Sequence, residues 1–128
     1  GNVLCIGNRP DGTPFRIGIR QPFEDTSTAA AVFSITDQSV VTSGIYERCF
    51  TKDGILYHHL LDPGTGYPCE NDLASVTIIS DHSVDGDALS TCCFLMGTQK
   101  GMELIDSLPD VRAVFITREG ELLYSEGF

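Results

Sequence analysis

Short β-prone segments separated by closely spaced turn residues restrict this chain to folds built on a sheet of short strands. Phe15–Arg20 alternates apolar with other side chains, the period of two that a half-buried strand shows, and Pro22 follows it. The turn formers at 36–39 predict that the segments on either side form a hairpin. The predicted strands are residues 3–6, 15–20, 29–35, 40–42, 55–61, 73–80, 111–116 and 122–124.

Helical periodicity begins directly after the longest of these runs. Ser83 stands where an N-cap residue is expected, apolar residues then recur at helical spacing, and Gly97 is a natural stop. A second short helix is predicted over residues 100–107, with Pro109 after it. This order of strands, a helix pair and strands predicts an α+β fold, a largely antiparallel sheet with the helix pair packed on one face. The 128 residues fit a single domain.

Charge and cysteine content exclude several classes of function. The formal net charge is −10 and no run of Lys or Arg interrupts it, so the chain should repel nucleic acid, while its carboxylates suit a divalent cation. No stretch approaches the ~20 apolar residues that cross a bilayer. Five cysteines without a C-x-x-C pair predict neither a disulfide framework nor a zinc site. They are expected to be reduced: Cys5, Cys49, Cys69, Cys92 and Cys93.

Residues 57–68 hold the densest group of side chains able to do chemistry. Successive side chains of a strand point to opposite faces, so only one of His58 and His59 can face a given site. Asp62 follows the strand, and the glycines on either side of Thr65 can bring backbone N–H groups close to a charged ligand. Taken singly, a histidine on a strand and a Gly-Thr-Gly turn are more often structural.

Two further segments carry candidate ligands. Asp87 and Thr91 are four residues apart and therefore neighbours on one helical face, with Ser90 beside them, which offers oxygen ligands for Mg²⁺. An acidic residue near a helix N-terminus also complements the helix dipole, and spacing alone favours that simpler interpretation. The Thr-Ser-Gly at 42–44 and the nearby Tyr46 are by themselves typical of a strand end and a packing residue.

These three segments, in this order, resemble the ApbE family of FAD:protein FMN transferases. The matching stretches are residues 42–48 (Thr-Ser-Gly-Ile-Tyr-Glu-Arg), 57–68 (a twelve-residue motif), 75–78 and 86–91. The likeness extends from Gly1-Asn2 to the closing residues 125–128, nearly the whole chain. Within the motifs the departures are small: Gly86 and Ser90 stand where the family has Ala, and Leu60 where it more often has Ile. The larger departure from the family is the length of the chain.

The resemblance implies an enzyme that uses Mg²⁺ and moves FMN from FAD onto a Thr or Ser hydroxyl of an acceptor flavoprotein, releasing AMP. It implies His59 as the catalytic base. The implied metal ligands are Asp87, Thr91 and Ser90, and the implied flavin contacts are Leu60, Asp62, Thr65 and Ser43. Two alternatives stay open: an FAD pyrophosphatase that gives FMN and AMP, and a non-catalytic domain that keeps only the fold.

The resemblance also concerns the length and location of the protein. Members of the family are longer, and their N-terminal portion supplies part of the flavin pocket and a metal-coordinating group. Residues 1–128 are therefore expected to be the C-terminal part of such an enzyme. Members of the family are often anchored to the membrane through their N-terminus, so the resemblance implies the outer face of the cytoplasmic membrane or the periplasm for the parent protein. Five reduced cysteines favour a reducing compartment instead, so a cytoplasmic location stays open.

Overall fold

The computed structural model describes residues 1–24 and 28–128, in which nine strands and two helices are present. Neither of these helices is long and apolar enough to cross a membrane. The elements, in chain order, are β1 (Asn2–Leu4), β2 (Phe15–Arg20), β3 (Ala29–Ile35), β4 (Ser39–Gly44), β5 (Cys49–Lys52), β6 (Ile55–His58), β7 (Leu73–Ser80), α1 (Ser83–Met96), α2 (Thr98–Asp106), β8 (Arg112–Thr117) and β9 (Leu122–Tyr124).

A five-stranded sheet in the order β1-β4-β7-β8-β9 forms the centre of the fold, and each neighbouring pair is antiparallel. In its middle, Val41 lies opposite Ile78, and Val76 lies opposite Phe115. All eight residues of β7 are buried, because both faces of the sheet are covered. Even the polar residues of this strand, Ser75, Thr77 and Ser80, are therefore buried.

The helix pair covers one face of this sheet. Phe94 of α1 and Ile105 of α2 are fully buried against Val76, Ile78 and Phe115 of the sheet. Burying side chains of this size contributes roughly 1.5–3 kcal/mol each, so this layer is a main source of stability. The sequence-based prediction of an α+β fold with a largely antiparallel sheet and a helix pair on one face is confirmed.

The other face of the sheet is covered by the two-stranded ribbon of β2 and β3. Ile35 of the ribbon packs with Cys5, Val40 and Ile79, and Ile19 packs with Val114 and Ile116. Because β2 and β3 have one face on the sheet and one in solvent, their side chains alternate between more and less buried. That half-burial is the physical origin of the period-two pattern in the sequence.

Local sequence signals predicted the bounds of the strands better than they predicted which strands pair with each other. The bounds predicted for β2, β3, β7 and β9 match the structure, but the predicted hairpin between residues 29–35 and 40–42 is wrong. β3 pairs with β2, whereas β4 pairs with β1 and β7. The turn at Asp37 (φ 51°) carries the chain from the outer ribbon into the central sheet, where Val40 and Val41 are both buried.

Two predicted helix boundaries also shift. Ser83 is the first residue of α1 rather than its cap, and its hydroxyl donates a hydrogen bond to Asn2 Oδ1 at 2.8 Å. The capping position belongs to His82, whose side chain makes no capping hydrogen bond. The second helix begins at Thr98, directly after Gly97, instead of at residue 100. The strand expected over residues 55–61 ends at His58 of β6, which pairs with β5 in a separate two-stranded sheet, so His59 lies outside that strand pair.

Helix α1 lies unusually close to strand β4 at one glycine. A Cβ atom added to Gly86 would stand 2.7 Å from Cγ2 of Val41 and 3.3 Å from Oγ of Ser80. Val41 is 2% exposed and has neighbours on all sides, so it cannot simply move away. The first turns of α1 therefore approach β4 more closely than any other residue type at position 86 permits.

Replacing Gly86 with Ala should lower the free energy of unfolding by about 1–3 kcal/mol, the usual range for overpacking. The loss outweighs the gain of up to about 1 kcal/mol that Ala brings to a helix. Urea unfolding of Gly86→Ala in two backgrounds, wild type and Val41→Ala, measures it. The penalty should shrink when Val41 is shortened. An equal penalty in both backgrounds would show that the Val41 contact is not its cause.

Candidate functional site

A cavity of about 840 Å³ opens where the end of β4, the first turns of α1 and the segment after β6 meet. This volume is within the range of known ligand sites. We call it the His59 cavity. Of the eight residues predicted for the site, five line it: Ser43, His59, Leu60, Asp87 and Thr91. The remaining described lining residues are Gly1, Asn2, Thr42, Gly44, Glu47 and Arg48.

The two adjacent histidines lie in different surroundings, because the strand ends between them. His58, the last residue of β6, is 5% exposed and packs edge-on against the ring of Phe94, with ring centroids 6.1 Å apart. Burial lowers the pKa of His58, and repulsion by Arg118 lowers it further. His59 follows the strand, is exposed and lines the His59 cavity. His59 is therefore the imidazole that a ligand in this cavity can meet.

Asp87 and Thr91 reach the His59 cavity from one face of α1. The Asp87 side chain is exposed and the Thr91 side chain is half-buried. Their spacing of one helical turn puts a carboxylate and a hydroxyl next to each other, both of them hard oxygen donors. Leu60, 4% exposed, forms an apolar wall of the same cavity.

These donors fit an ion that shares its coordination with other groups. Within residues 1–24 and 28–128, no cluster of three or more His, Cys, Asp or Glu side chains has an arrangement that could hold a metal ion. Mg²⁺ commonly takes only one or two protein oxygens and completes its shell with water and substrate phosphate. The Asp87 carboxylate and the Thr91 hydroxyl match such a partial site, and a structural zinc or calcium cage would need more ligands.

Ser90 takes a position that the sequence did not predict, whereas Ser43 lines the cavity and contacts Ser90. Ser90 is fully buried between α1 and β4, and its hydroxyl donates a hydrogen bond to the Asp87 carbonyl at 3.2 Å. Ser43 Oγ lies 2.9 Å from Ser90 Oγ and 3.2 Å from Thr91 Oγ1. The Ser90 hydroxyl thus faces the helix–strand contact and does not reach the cavity wall, while Ser43 lies between the two.

Asp62 and Thr65 lie in the turn after Leu60 and are not among the residues that line the cavity. The Asp62 carboxylate accepts a hydrogen bond from the Gly64 N–H at 2.7 Å, and the Thr65 hydroxyl accepts one from the Tyr67 N–H at 3.2 Å. The Asp62 carbonyl also accepts from the Gly66 N–H at 2.8 Å. In the structure these two side chains shape the turn that leads away from His59 and Leu60.

Glu47 and Arg48 line the cavity, although neither is among the eight residues predicted for the site. Glu47 pairs with Arg20 of the outer ribbon at 2.9 Å, so the ribbon is tied to the rim of the cavity. Arg48 is exposed and brings a positive charge to a cavity that otherwise presents Glu47 and Asp87. The sequence signal that could have pointed to them is the matching stretch 42–48, which ends with these two residues. A sequence match does not show which way a loop side chain points.

Comparison with known proteins supports a single family. Residues 1–115 match the ApbE family. The chain is similar to proteins named FAD:protein FMN transferase from Klebsiella pneumoniae strain 342, at 42% identity over 98% of this chain and 38% of that protein, and from Treponema pallidum strain Nichols, at 44% identity over 99% of this chain and 37% of that protein.

A solved structure agrees with this match. The crystal structure of the ApbE protein from Thermotoga maritima superposes with a TM-score of 0.87 at 35% identity, covering 98% of this chain and 40% of that one. The chain therefore spans about two fifths of the length of the relatives it matches.

Proposed function

The chain belongs to the ApbE family, and from that premise we propose that it carries part of the active site of a flavin transferase. The reaction is the transfer of FMN from FAD to a Thr or Ser hydroxyl of an acceptor protein, with release of AMP. The observation that carries the proposal is the convergence of His59, Asp87 and Thr91 on one cavity from two separate elements. An imidazole that lines the same cavity as a carboxylate and a hydroxyl fits a displacement at phosphorus.

In the proposed reaction, the acceptor hydroxyl oxygen attacks the phosphorus atom of the FMN half of FAD. A phosphate ester bond forms, the bond from that phosphorus to the bridging oxygen of the diphosphate breaks, and AMP leaves with the bridging oxygen. The hydroxyl proton goes to the His59 imidazole, whose side chain is exposed to the cavity. Imidazole is well suited to take a proton near neutral pH.

The carboxylate of Asp87 and the hydroxyl of Thr91 are the groups that would hold Mg²⁺ in this cavity. When bound, Mg²⁺ would offset negative charge on the diphosphate oxygens. Leu60 supplies an apolar wall from which water is excluded, and its burial fixes the backbone that follows His59. Arg48 supplies a guanidinium, which pairs well with phosphate or carboxylate.

The proposed flavin site also includes residues and segments outside the His59 cavity. Contacts of Asp62 and Thr65 with the flavin stay predictions, since both side chains hold the turn beside the site. The relatives are much longer than this chain. We therefore propose that residues 1–128 are the C-terminal part of the transferase. The rest of the protein then supplies the other side of the flavin pocket and further coordination of the metal.

Removing the proposed base should slow transfer without removing the flavin. In the full-length protein, His59→Ala should lower the rate of FMN transfer by about 10²–10⁴, the usual contribution of a general base. The FAD dissociation constant should change little, because the imidazole acts on the acceptor hydroxyl. Flavin fluorescence of the acceptor after gel separation measures transfer. His82→Ala, an exposed histidine outside the cavity, is the matched control. Transfer by His59→Ala at the control rate would exclude His59 from the mechanism.

Removing the proposed metal ligand should abolish Mg²⁺-dependent turnover of FAD. Asp87→Ala should lose FAD turnover over the whole Mg²⁺ range that saturates wild type, with an unchanged unfolding midpoint, because the side chain is exposed. AMP release is the measurement. Asp85→Ala, an exposed carboxylate of the same helical turn, is the matched control. Full Mg²⁺-dependent turnover by Asp87→Ala would contradict the metal assignment.

The wild-type assay also separates the proposed reaction from its alternatives. With the acceptor present, FMN attached covalently to the acceptor identifies a transferase. Free FMN formed at the same rate without any acceptor identifies a pyrophosphatase. Failure of the full-length protein to bind FAD identifies a domain that keeps the fold alone.

A further inference from the structure

Three hydroxyl groups form a continuous line between the His59 cavity and the interior of the protein. Thr91 Oγ1, at the cavity wall, lies 3.2 Å from Ser43 Oγ, which lies 2.9 Å from Ser90 Oγ. The line ends at the carbonyl oxygen of Asp87, 3.2 Å from Ser90 Oγ. The three hydroxyl oxygens come from two elements, β4 and α1. The line ends on the backbone of Asp87, which is proposed as a metal ligand.

Counting hydrogens fixes the direction of every bond in this line. Each hydroxyl has one hydrogen to donate, and a carbonyl oxygen can only accept. The Ser90 hydrogen is used on the Asp87 carbonyl, so the bond between Ser43 and Ser90 must be donated by Ser43. The Ser43 hydrogen is then used as well, so Thr91 must be the donor to Ser43. This is the one arrangement in which all three hydrogen bonds form at the same time.

We propose that Ser43 and Ser90 are positioning residues that hold the Thr91 hydroxyl with its hydrogen turned inward and its lone pairs turned towards the cavity. This role rests on the proposed function, because it matters only if Thr91 Oγ1 coordinates a cation. A neutral hydroxyl coordinates a cation through an oxygen lone pair, so a hydrogen pointing at the ion would oppose binding. The line of hydroxyls removes that orientation before the ion arrives.

Burial makes the arrangement persistent. Ser90 is fully buried, so water cannot take the place of its hydrogen bond to the Asp87 carbonyl if that bond breaks. The close approach of α1 to β4 at Gly86 brings the helix near enough for the Ser43 hydroxyl to reach both Ser90 and Thr91. Reversing the line would leave the Asp87 carbonyl without the Ser90 bond and turn the Thr91 hydrogen into the cavity.

The first test reads the Thr91 side chain itself and needs neither flavin nor metal. In wild type, NMR couplings across the Thr91 Cα–Cβ bond should report one rotamer, and its hydroxyl proton should exchange slowly enough to be detected. Ser43→Ala removes the acceptor, so the Thr91 couplings should become averaged and the hydroxyl signal should disappear. Ser90→Ala should also change the hydroxyl signal, because Ser43 is then free to donate to Thr91.

Ser39→Ala is the matched control for both variants. Ser39 lies on β4, the same strand as Ser43, and is fully buried. Its hydroxyl donates a hydrogen bond to the Ser80 carbonyl at 3.2 Å and lies 3.3 Å from Ser80 Oγ. It should lose a comparable amount of stability and leave the Thr91 signals unchanged. Unchanged Thr91 signals in both Ser43→Ala and Ser90→Ala would overturn the proposal.

The second test measures cation binding. Titration with Mn²⁺ alone, followed through the relaxation of water protons, should show about 10-fold or more weaker binding to Ser43→Ala than to wild type or Ser39→Ala. Loss of outer-shell partners of metal ligands typically costs 10–100-fold in affinity. Equal affinities would overturn the positioning role. Absence of Mn²⁺ binding to full-length wild type would instead contradict the proposed metal site, and the Thr91 signals would still decide the direction of the hydrogen bonds.

Discussion

The contact between α1 and β4 at Gly86 is the constraint on which the site depends. No side chain fits between the helix backbone and Val41 at this point, so the first turns of α1 lie directly on the strand. That approach brings Ser43 within hydrogen-bond distance of both Ser90 and Thr91. It also places Asp87 and Thr91 beside the end of β4. A larger separation between α1 and β4 would both open the cavity and break the line of hydroxyls.

The site combines a rigid side and an open side. Its rigid side is the contact of α1 with β4, where the half-buried Ser43 bonds to the fully buried Ser90 and water cannot reach the Ser90 hydroxyl. Its open side is the loop after β4 and the residue after β6, which present Arg48 and His59. Metal ligands need fixed geometry, whereas a base that meets an incoming acceptor must be accessible, and the proposed roles follow this division.

The features that could be predicted from the sequence are those set by neighbouring residues along the chain. The period of two marks β2 because one of its faces is exposed, and the spacing of Asp87 and Thr91 places them on one helical face. Strand partners depend on contacts distant in the chain, so the hairpin prediction failed at β3. The burial of Ser90 and the cavity position of Arg48 depend on packing that no local pattern encodes. The hydrogen bond of Asp62 is local instead, because its carboxylate accepts from Gly64, only two residues later.

The central claim is that the His59 cavity is where this chain meets FAD. The direct measurement is an NMR titration of the isotopically labelled chain with FAD, in Mg²⁺ and then in EDTA. The account predicts saturable amide shifts at Ser43, His59 and Thr91 that weaken in EDTA. Shifts confined to the separate cavity of about 470 Å³ beside Tyr57 and Arg118, or unaffected by EDTA, would contradict it.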